Sequence, residues 1–496
     1  MLAFTIAGDI ASSSHPPTLI DRQAEVAELR SLATAGEPRL ALLTGRRRVG
    51  KTFLLLATWT ERQAFAFTAS RTSPEQNRRP LLLDLARWSG EPIEPDDHPT
   101  WRSVFQLLLD LRAPEPLVVV IDEFQHLAED ERGLATVASE LNAAWERRRP
   151  PRSFLMVLAG SVVHTMEALA GGGAPLYGRF HWRHHLEPFD YRDAAALAPF
   201  DSLRERIEAY AVFGGTPRYL AAVDPTAPLV ENAARLSLSP RGEVRQLVET
   251  ALDQEQGLRD VPKYRAILRA VATGQTRRNE IAQRTGVAHD AGLRDKLARL
   301  VDLGYLTART KVDARPNEAV AYAVADPAVR FHHRFVEPHL ALLDREAPLD
   351  VWTAFVAPRF AAFVGIEFER VATQAYDRLR RTRGYPLVER WGRWEGRDQE
   401  GALLKIDVVA PLIDGRILSG AVKWNARPTP ADVHFRHLAM LERAAAAGRA
   451  WAHTALQADD PLLYVAAAGF EEGFVDVAAR QGRPVIALTL DDLFAD

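Results

Sequence analysis

The chain has 496 residues, 47% of them apolar and 26% charged, with a net charge of −3 and no cysteine. Such a length exceeds one hydrophobic core and implies roughly two to four domains. The missing cysteines exclude disulfides, thiolate-held zinc and thiol catalysis, and the near-neutral balance confines any nucleic-acid contact to a local patch.

Residues 1–17, which end in "SSSHPP", read as a flexible tail with no basic segment ahead of its apolar patch, hence no signal peptide. No apolar run approaches the roughly 18 residues of a membrane span, so a cytoplasmic protein with no membrane partner is expected. From 18 to 190, "RLALLTG", "AFAFTAS", "LVVVIDE" and "FLMVLAGS" are continuous apolar runs separated by amphipathic stretches. Buried parallel strands with helices between them read this way. Residues 191–255 turn helical, as in "LRERIEAYAVF".

The loop after the first strand, "LTGRRRVGKTF", holds Gly45-x4-Gly50-Lys51-Thr52. Its backbone amides can wrap a phosphate where glycine allows close approach. Lys51 reaches the outer phosphates and the Thr52 hydroxyl meets Mg2+. Val49 within the motif and Phe53 just after it are expected to line the nucleotide with the loop, and the helix that follows turns its N-terminal dipole toward the anion. Arg46, Arg47 and Arg48 at the tip either add positive potential or are solvated loop charges, and the spacing favours neither. About 70 residues on, "PLVVVIDEF" ends an apolar strand at Asp122, placed to hold Mg2+ through water, and Glu123, placed to polarise the attacking water. Ser161, closing "VLAGS", is a γ-phosphate sensor or a small turn residue. Arg179 in "LYGRF" is an arginine finger or a surface helix cap.

Residues 256–328 show three short helical patterns and two alternating strands around a turn, "YLTARTKV" and "VAYAVAD", which is the plan of a winged helix. Leu293, Leu297, Leu300 and Val301 line one face of the third helix. Between 261 and 345 stand 15 Lys/Arg against 9 Asp/Glu, a local excess that fits phosphate contact by Arg277, Arg278 and Arg299. Asp295 and Asp302 beside Arg299 fit a packing module equally. A linker over 329–350 then leads to an α/β domain over 351–496. There "KIDVVAP" and "SGAVKW" place Asp407 and Lys423 on neighbouring strands, with Glu369 on the preceding helix. Metal-dependent phosphodiester cleavage needs two converging carboxylates and a lysine, and the second carboxylate position is Ala421. His126, His332 and His333 show no metal-ligand spacing.

The motifs "LIDRQAEVAELRSL", "GRRRVGKT", "VVVIDEFQHL", "LAGS", "LYGRF" and "GGTPRYL" fall in the order of the archaeal-type ATPases, and residues 18–225 resemble that family. It is a branch of the STAND switches within the AAA+ P-loop NTPases. The resemblance implies a parallel-sheet ATPase core with a helical lid, and ATP with Mg2+ as cofactors. It also implies Asp21 and Arg22 near the adenine, Gly215 and Pro217 touching nucleotide from the lid, and slow switching between ADP-bound and ATP-bound or assembled states. The C-terminal domain is similar to the restriction-endonuclease-like fold. That pattern puts glutamate at 421 and an acidic residue at 405, where this chain has Ala421 and Lys405. Three readings follow: a slow switch ATPase with a degenerate nuclease-like domain that meets DNA, a partner protein or a second copy; an ATP-gated nuclease; or a nucleotide-binding DNA regulator with negligible turnover.

Overall fold

The structure, a computed structural model, describes residues 19–112, 115–147, 152–255, 258–309, 312, 321–480 and 482–495. The expected tail and the tip of the wing, 313–320, lie outside the described residues. The chain divides into two units, Met1–Pro188 and Phe189–Asp496.

The first unit alternates strand and helix: α1 (Gln23–Ala33), β1 (Pro38–Thr44), α2 (Lys51–Thr58), β2 (Ala64–Thr68), α3 (Pro74–Ser89), α4 (Trp101–Asp110), β3 (Leu117–Asp122), α5 (Glu131–Arg147), β4 (Phe154–Gly160), α6 (Val163–Ala168) and β5 (Trp182–His185). The sheet runs β2-β3-β4-β1-β5 and every pair is parallel. Strand alternation sorts the apolar residues onto two faces. Leu40, Leu42, Val119, Ile121, Met156 and Leu158 pack with α3, α4 and α5. Ala41, Leu43, Val118, Val120, Leu155 and Val157 pack with α1 and α2. This two-sided burial is why β3 and β4 read as unbroken apolar runs. The capping box of Ser73 and Gln76 starts α3 and that of Thr100 and Ser103 starts α4, which fixes where chain leaves loop for helix.

The second unit opens on short helices, including α7 (Leu203–Phe213), and continues through α8 (Val261–Ala272), α9 (Arg278–Thr285), α10 (Ala291–Asp302) and the antiparallel pair β6 (Leu306–Arg309) and β7 (Ala321–Val324). Leu293, Leu297 and Leu300 of α10 are buried, as their spacing predicts. The expected linker at 329–350 is instead largely helical. Its charged residues conceal an apolar face, and Phe331 and Phe335 pack on Phe363 with ring centroids 5.7 and 5.1 Å apart.

The long helix α11 (Ala357–Arg383) follows. The continuous helical stretch Pro348–Arg383 is, by length and composition, apolar enough to cross a membrane, with mean hydropathy 1.4 over 18 residues. A search for uninterrupted apolar runs passes over it because Arg359 and Glu367 break the run. Its Phe363, Val364, Phe368 and Val371 are buried against protein, and Glu367 pairs with Arg330 at 2.9 Å. Beyond it, β8 (Trp394–Arg397) and β9 (Leu403–Ile406) form one ladder. A second sheet runs β10-β11-β12-β13, from β10 (Val408–Pro411), β11 (Ile417–Lys423), β12 (Leu462–Ala466) and β13 (Val485–Thr489). β10 is antiparallel to β11 and the rest are parallel.

Candidate functional site

β1 delivers the chain into a tight loop. Gly45 has φ 152°, and a Cβ there would lie 2.6 Å from the Leu186 carbonyl oxygen. Gly50 has φ 97° and non-glycine Arg48 has φ 72°, strain of a kind that clusters at functional sites. Val49 is buried, Arg46, Arg47 and Arg48 are half-buried, and Phe53 is exposed. Lys51, the first residue of α2, is buried, and its Nζ donates to the carbonyls of Gly45 at 2.8 Å and Arg46 at 3.0 Å.

β3 brings Asp122 to the same place. The Thr52 hydroxyl donates to Asp122 Oδ2 at 2.5 Å. Burial and the charge of Glu123 raise the Asp122 pKa, against the pull of Thr52 and Lys51. An anionic oxygen and a hydroxyl meeting beside an anion-binding loop are hard donors of the kind Mg2+ takes. The residues present therefore fit that ion.

Glu123 turns the chain at φ 52°, a left-handed conformation that glutamate rarely adopts. Its Oε2 accepts from the Ser161 hydroxyl at 2.7 Å and from the Gln125 amide. Burial opposes its ionisation. Lys51, Ser161 and Gln125 more than offset that and hold the carboxyl below the usual range. Ser161 thus stands on Glu123, at the end of β4.

Gln125, inside "IDEFQHL", is a member of this cluster that the motifs do not single out. It lies three residues past the strand-ending Asp122, on a single 3-10 turn, and that spacing alone does not mark it. His126 is buried and burial lowers its pKa; its Nδ1 lies 3.4 Å from the Ala69 carbonyl.

The remaining expected residues of this unit have partners of their own. Arg22 Nη2 donates to the Glu187 carbonyl at 2.7 Å and Nη1 meets Glu25 at 3.3 Å, with exposed Asp21 beside it at φ 39°. Arg179 donates from Nε to Asn142 at 3.0 Å and is ion-paired with Glu146, both on α5.

In the second unit, Gly215 is required by packing, since a Cβ there would lie 1.8 Å from the Phe189 carbonyl oxygen. Pro217 starts a short helix, Pro217–Leu220. Arg277 precedes α9, Arg278 lies 3.0 Å from His289, and Arg299 stands on α10. Asp407 occupies the break between β9 and β10, not the middle of a strand. Its Oδ2 accepts from Lys423 Nζ at 2.7 Å and from the Val422 amide at 3.1 Å. Lys405, expected to add charge there, lies instead 3.6 Å from Glu395 across the β8–β9 ladder. Ala421 is buried in an apolar cluster with Val433, Tyr464 and Phe474. Glu369 lies 3.9 Å from Arg393, and burial raises its pKa against the pull of that arginine. Among the described residues, no group of three His, Asp or Glu is placed to hold a metal ion.

A parallel five-stranded sheet, a glycine-bracketed loop from β1 into α2 and paired acids ending β3 define a P-loop nucleotide-binding protein. Residues 19–223 match the family described as an ATPase domain predominantly from Archaea. Residues 332–434 match a family of archaeal and bacterial proteins of unknown function. An uncharacterised protein of Methanocaldococcus jannaschii is 23% identical over 414 residues, 82% of this chain and 87% of its own length. A Walker-type ATPase of Pyrococcus abyssi matches with a TM-score of 0.47 and 22% identity over 65% of this chain and 99% of its own. The ORC2 protein of Aeropyrum pernix, solved in ADPNP–ADP complexes, matches with a TM-score of 0.43 and 18% identity over 69% and 97%.

Proposed function

We propose that the chain is a Mg2+-dependent, slowly ATP-hydrolysing switch of the STAND type, and that its C-terminal domain is nuclease-like in plan without cutting. The observation that carries the first part is the meeting of Thr52 with Asp122 at 2.5 Å, with Glu123 adjacent and clamped by Ser161 at 2.7 Å.

In this reading the Lys51 ammonium binds the outer phosphates, exchanging loop carbonyls for phosphate oxygens. Thr52 and Asp122 hold Mg2+, which when bound neutralises charge on the phosphates. A water oxygen attacks the γ-phosphorus, the bond to the β–γ bridging oxygen breaks, and Glu123 accepts the water's proton. Slow turnover is supported by Arg179, whose guanidinium is committed to Asn142 and Glu146.

The second part rests on Asp407, neutralised by Lys423, and on Ala421, whose side chain offers no oxygen. Calorimetry with ATP and Mg2+, alongside phosphate release, tests the proposal. Binding followed by slow release is expected, and wild-type protein that binds no nucleotide would sink it.

A further inference from the structure

The clamp on Glu123 contains a second side chain besides Ser161. Gln125 is 3% exposed, and its amide nitrogen reaches two partners, Glu123 Oε2 and the Ser161 hydroxyl, the latter at 3.3 Å. The Ser161 hydroxyl closes the triangle by donating to the same Glu123 oxygen at 2.7 Å. The orientation of the amide is dictated by chemistry, since its carbonyl end against a carboxylate would be repelled. The consequence is that Gln125 Oε1 is buried with no donor. Buried polar atoms are nearly always paired, so an orphan calls for a reason.

The surrounding chain is shaped to this arrangement. A Cβ on Gly160 would lie 2.4 Å from Gln125 Oε1 and 2.5 Å from the Met166 side chain, so the end of β4 must be glycine for the amide to fit. Glu123 is itself in a left-handed conformation, which brings residues 123 and 125 round to the same Ser161.

We propose that Gln125 is a positioning residue for ATP hydrolysis: with Ser161 it fixes one oxygen of Glu123, so that the other is turned to the attacking water. The inference rests on Glu123 as the base of the reaction proposed above. Gln125 acts through Glu123, and its orphaned oxygen is the consequence of pointing its donor end at that carboxylate. Ser161 shares the work, so a change at either residue loosens the same oxygen.

The test uses the full chain and three readouts: ATP and ADP affinity by calorimetry, turnover by phosphate release, and thermal melting. Gln125→Met keeps the length and removes both donated bonds. It is expected to lower kcat about tenfold and to leave nucleotide affinity within twofold of wild type. Ser161→Ala is expected to behave alike. The decisive measurement is the combination with Glu123→Gln: once the base is gone, adding Gln125→Met should change turnover no further. If Gln125→Met slows turnover as much on the Glu123→Gln background as on the wild type, Gln125 does not act through Glu123. If Gln125→Met weakens nucleotide binding in proportion to its loss of rate, the side chain shapes the pocket instead. Either result overturns the inference, as does unchanged turnover in a variant that melts like wild type. A Glu123→Gln chain as active as wild type overturns the hydrolysis reading itself, whatever Gln125→Met does. If Gln125→Met melts well below wild type, Ser161→Ala carries the same cycle.

Discussion

The chain sets an aspartate near a lysine twice, to opposite effect. In the first unit, Lys51 donates to the loop carbonyls of Gly45 and Arg46, and Asp122 shares its oxygen with the neutral hydroxyl of Thr52. In the second, Lys423 sits directly on Asp407 at 2.7 Å. An aspartate whose nearest donor is a hydroxyl keeps its charge available to a cation. One neutralised by an ammonium does not, because a hard cation needs several oxygens and a surplus of negative charge. The residue types alone do not separate these cases; what separates them is which backbone the lysine finds first.

The largest test of this comparison is Lys51→Ala. If Lys51 binds the outer phosphates as proposed, removing its ammonium should weaken ATP binding by about 10- to 100-fold, the size of one or two charge-assisted hydrogen bonds. Lys423→Ala should leave nucleotide affinity unmoved. Equal loss in both variants, read by calorimetry, would erase the distinction. Next, Glu123→Gln should bind ATP as wild type does and turn over about 100-fold more slowly, the low end for a general base. Phosphate release without loss of affinity is the signature.

The third test asks whether the second site can be rebuilt. Restoring a carboxylate with Ala421→Glu puts a charge among Val433, Tyr464 and Phe474. An unpaired buried charge of this kind costs about 3 kcal/mol or more. At roughly 2–4 °C per kcal/mol for a unit of this size, melting should fall by about 10 °C. Mn2+ should not restore it, since Lys423 still neutralises Asp407. Recovery of melting on adding Mn2+ would show that the site was only one oxygen short.

The ATPase core was largely legible, because two-sided burial writes unbroken apolar runs and a phosphate loop needs glycine at Gly45 and Gly50. The four predicted strands are β1 to β4, and Lys51, Thr52, Asp122 and Glu123 do converge. Gln125 was not legible, since nothing in its spacing says that an amide will fold back onto the acid two residues before it. The helical stretch after β7 was missed because its apolar residues are interleaved with charges that pair internally, as Arg330 does with Glu367. Lys405 was misplaced for a related reason. Alternation puts it on the side of Asp407, but the chain breaks at Asp407, and the ladder pairs Lys405 with Glu395.

The smallest expected effect concerns the three helices α8, α9 and α10 with the β6–β7 pair. Arg277 is exposed at the start of α9, where the isolated bridge from Arg277 to Ala321 joins helix to ladder. Arg278 and Arg299 are half-buried, and Asp295 and Asp302 stand on the same helix as Arg299. If this face meets duplex DNA through phosphates, each arginine that neutralises one releases counterions, and log affinity falls with log salt by about 0.9 per contact. Replacing Arg277, Arg278 and Arg299 together with alanine should then flatten the slope by up to about 2.7, and weaken binding alike across DNA sequences. Fluorescence anisotropy of a labelled duplex, titrated between about 50 and 200 mM salt, reads both. No binding by the wild type at the low end would assign these helices to packing alone. A slope unchanged by the triple substitution would move the contact to another face. The argument from charge is the same one that separates Asp122 from Asp407: an arginine serves phosphate only where no carboxylate of the chain has already taken it.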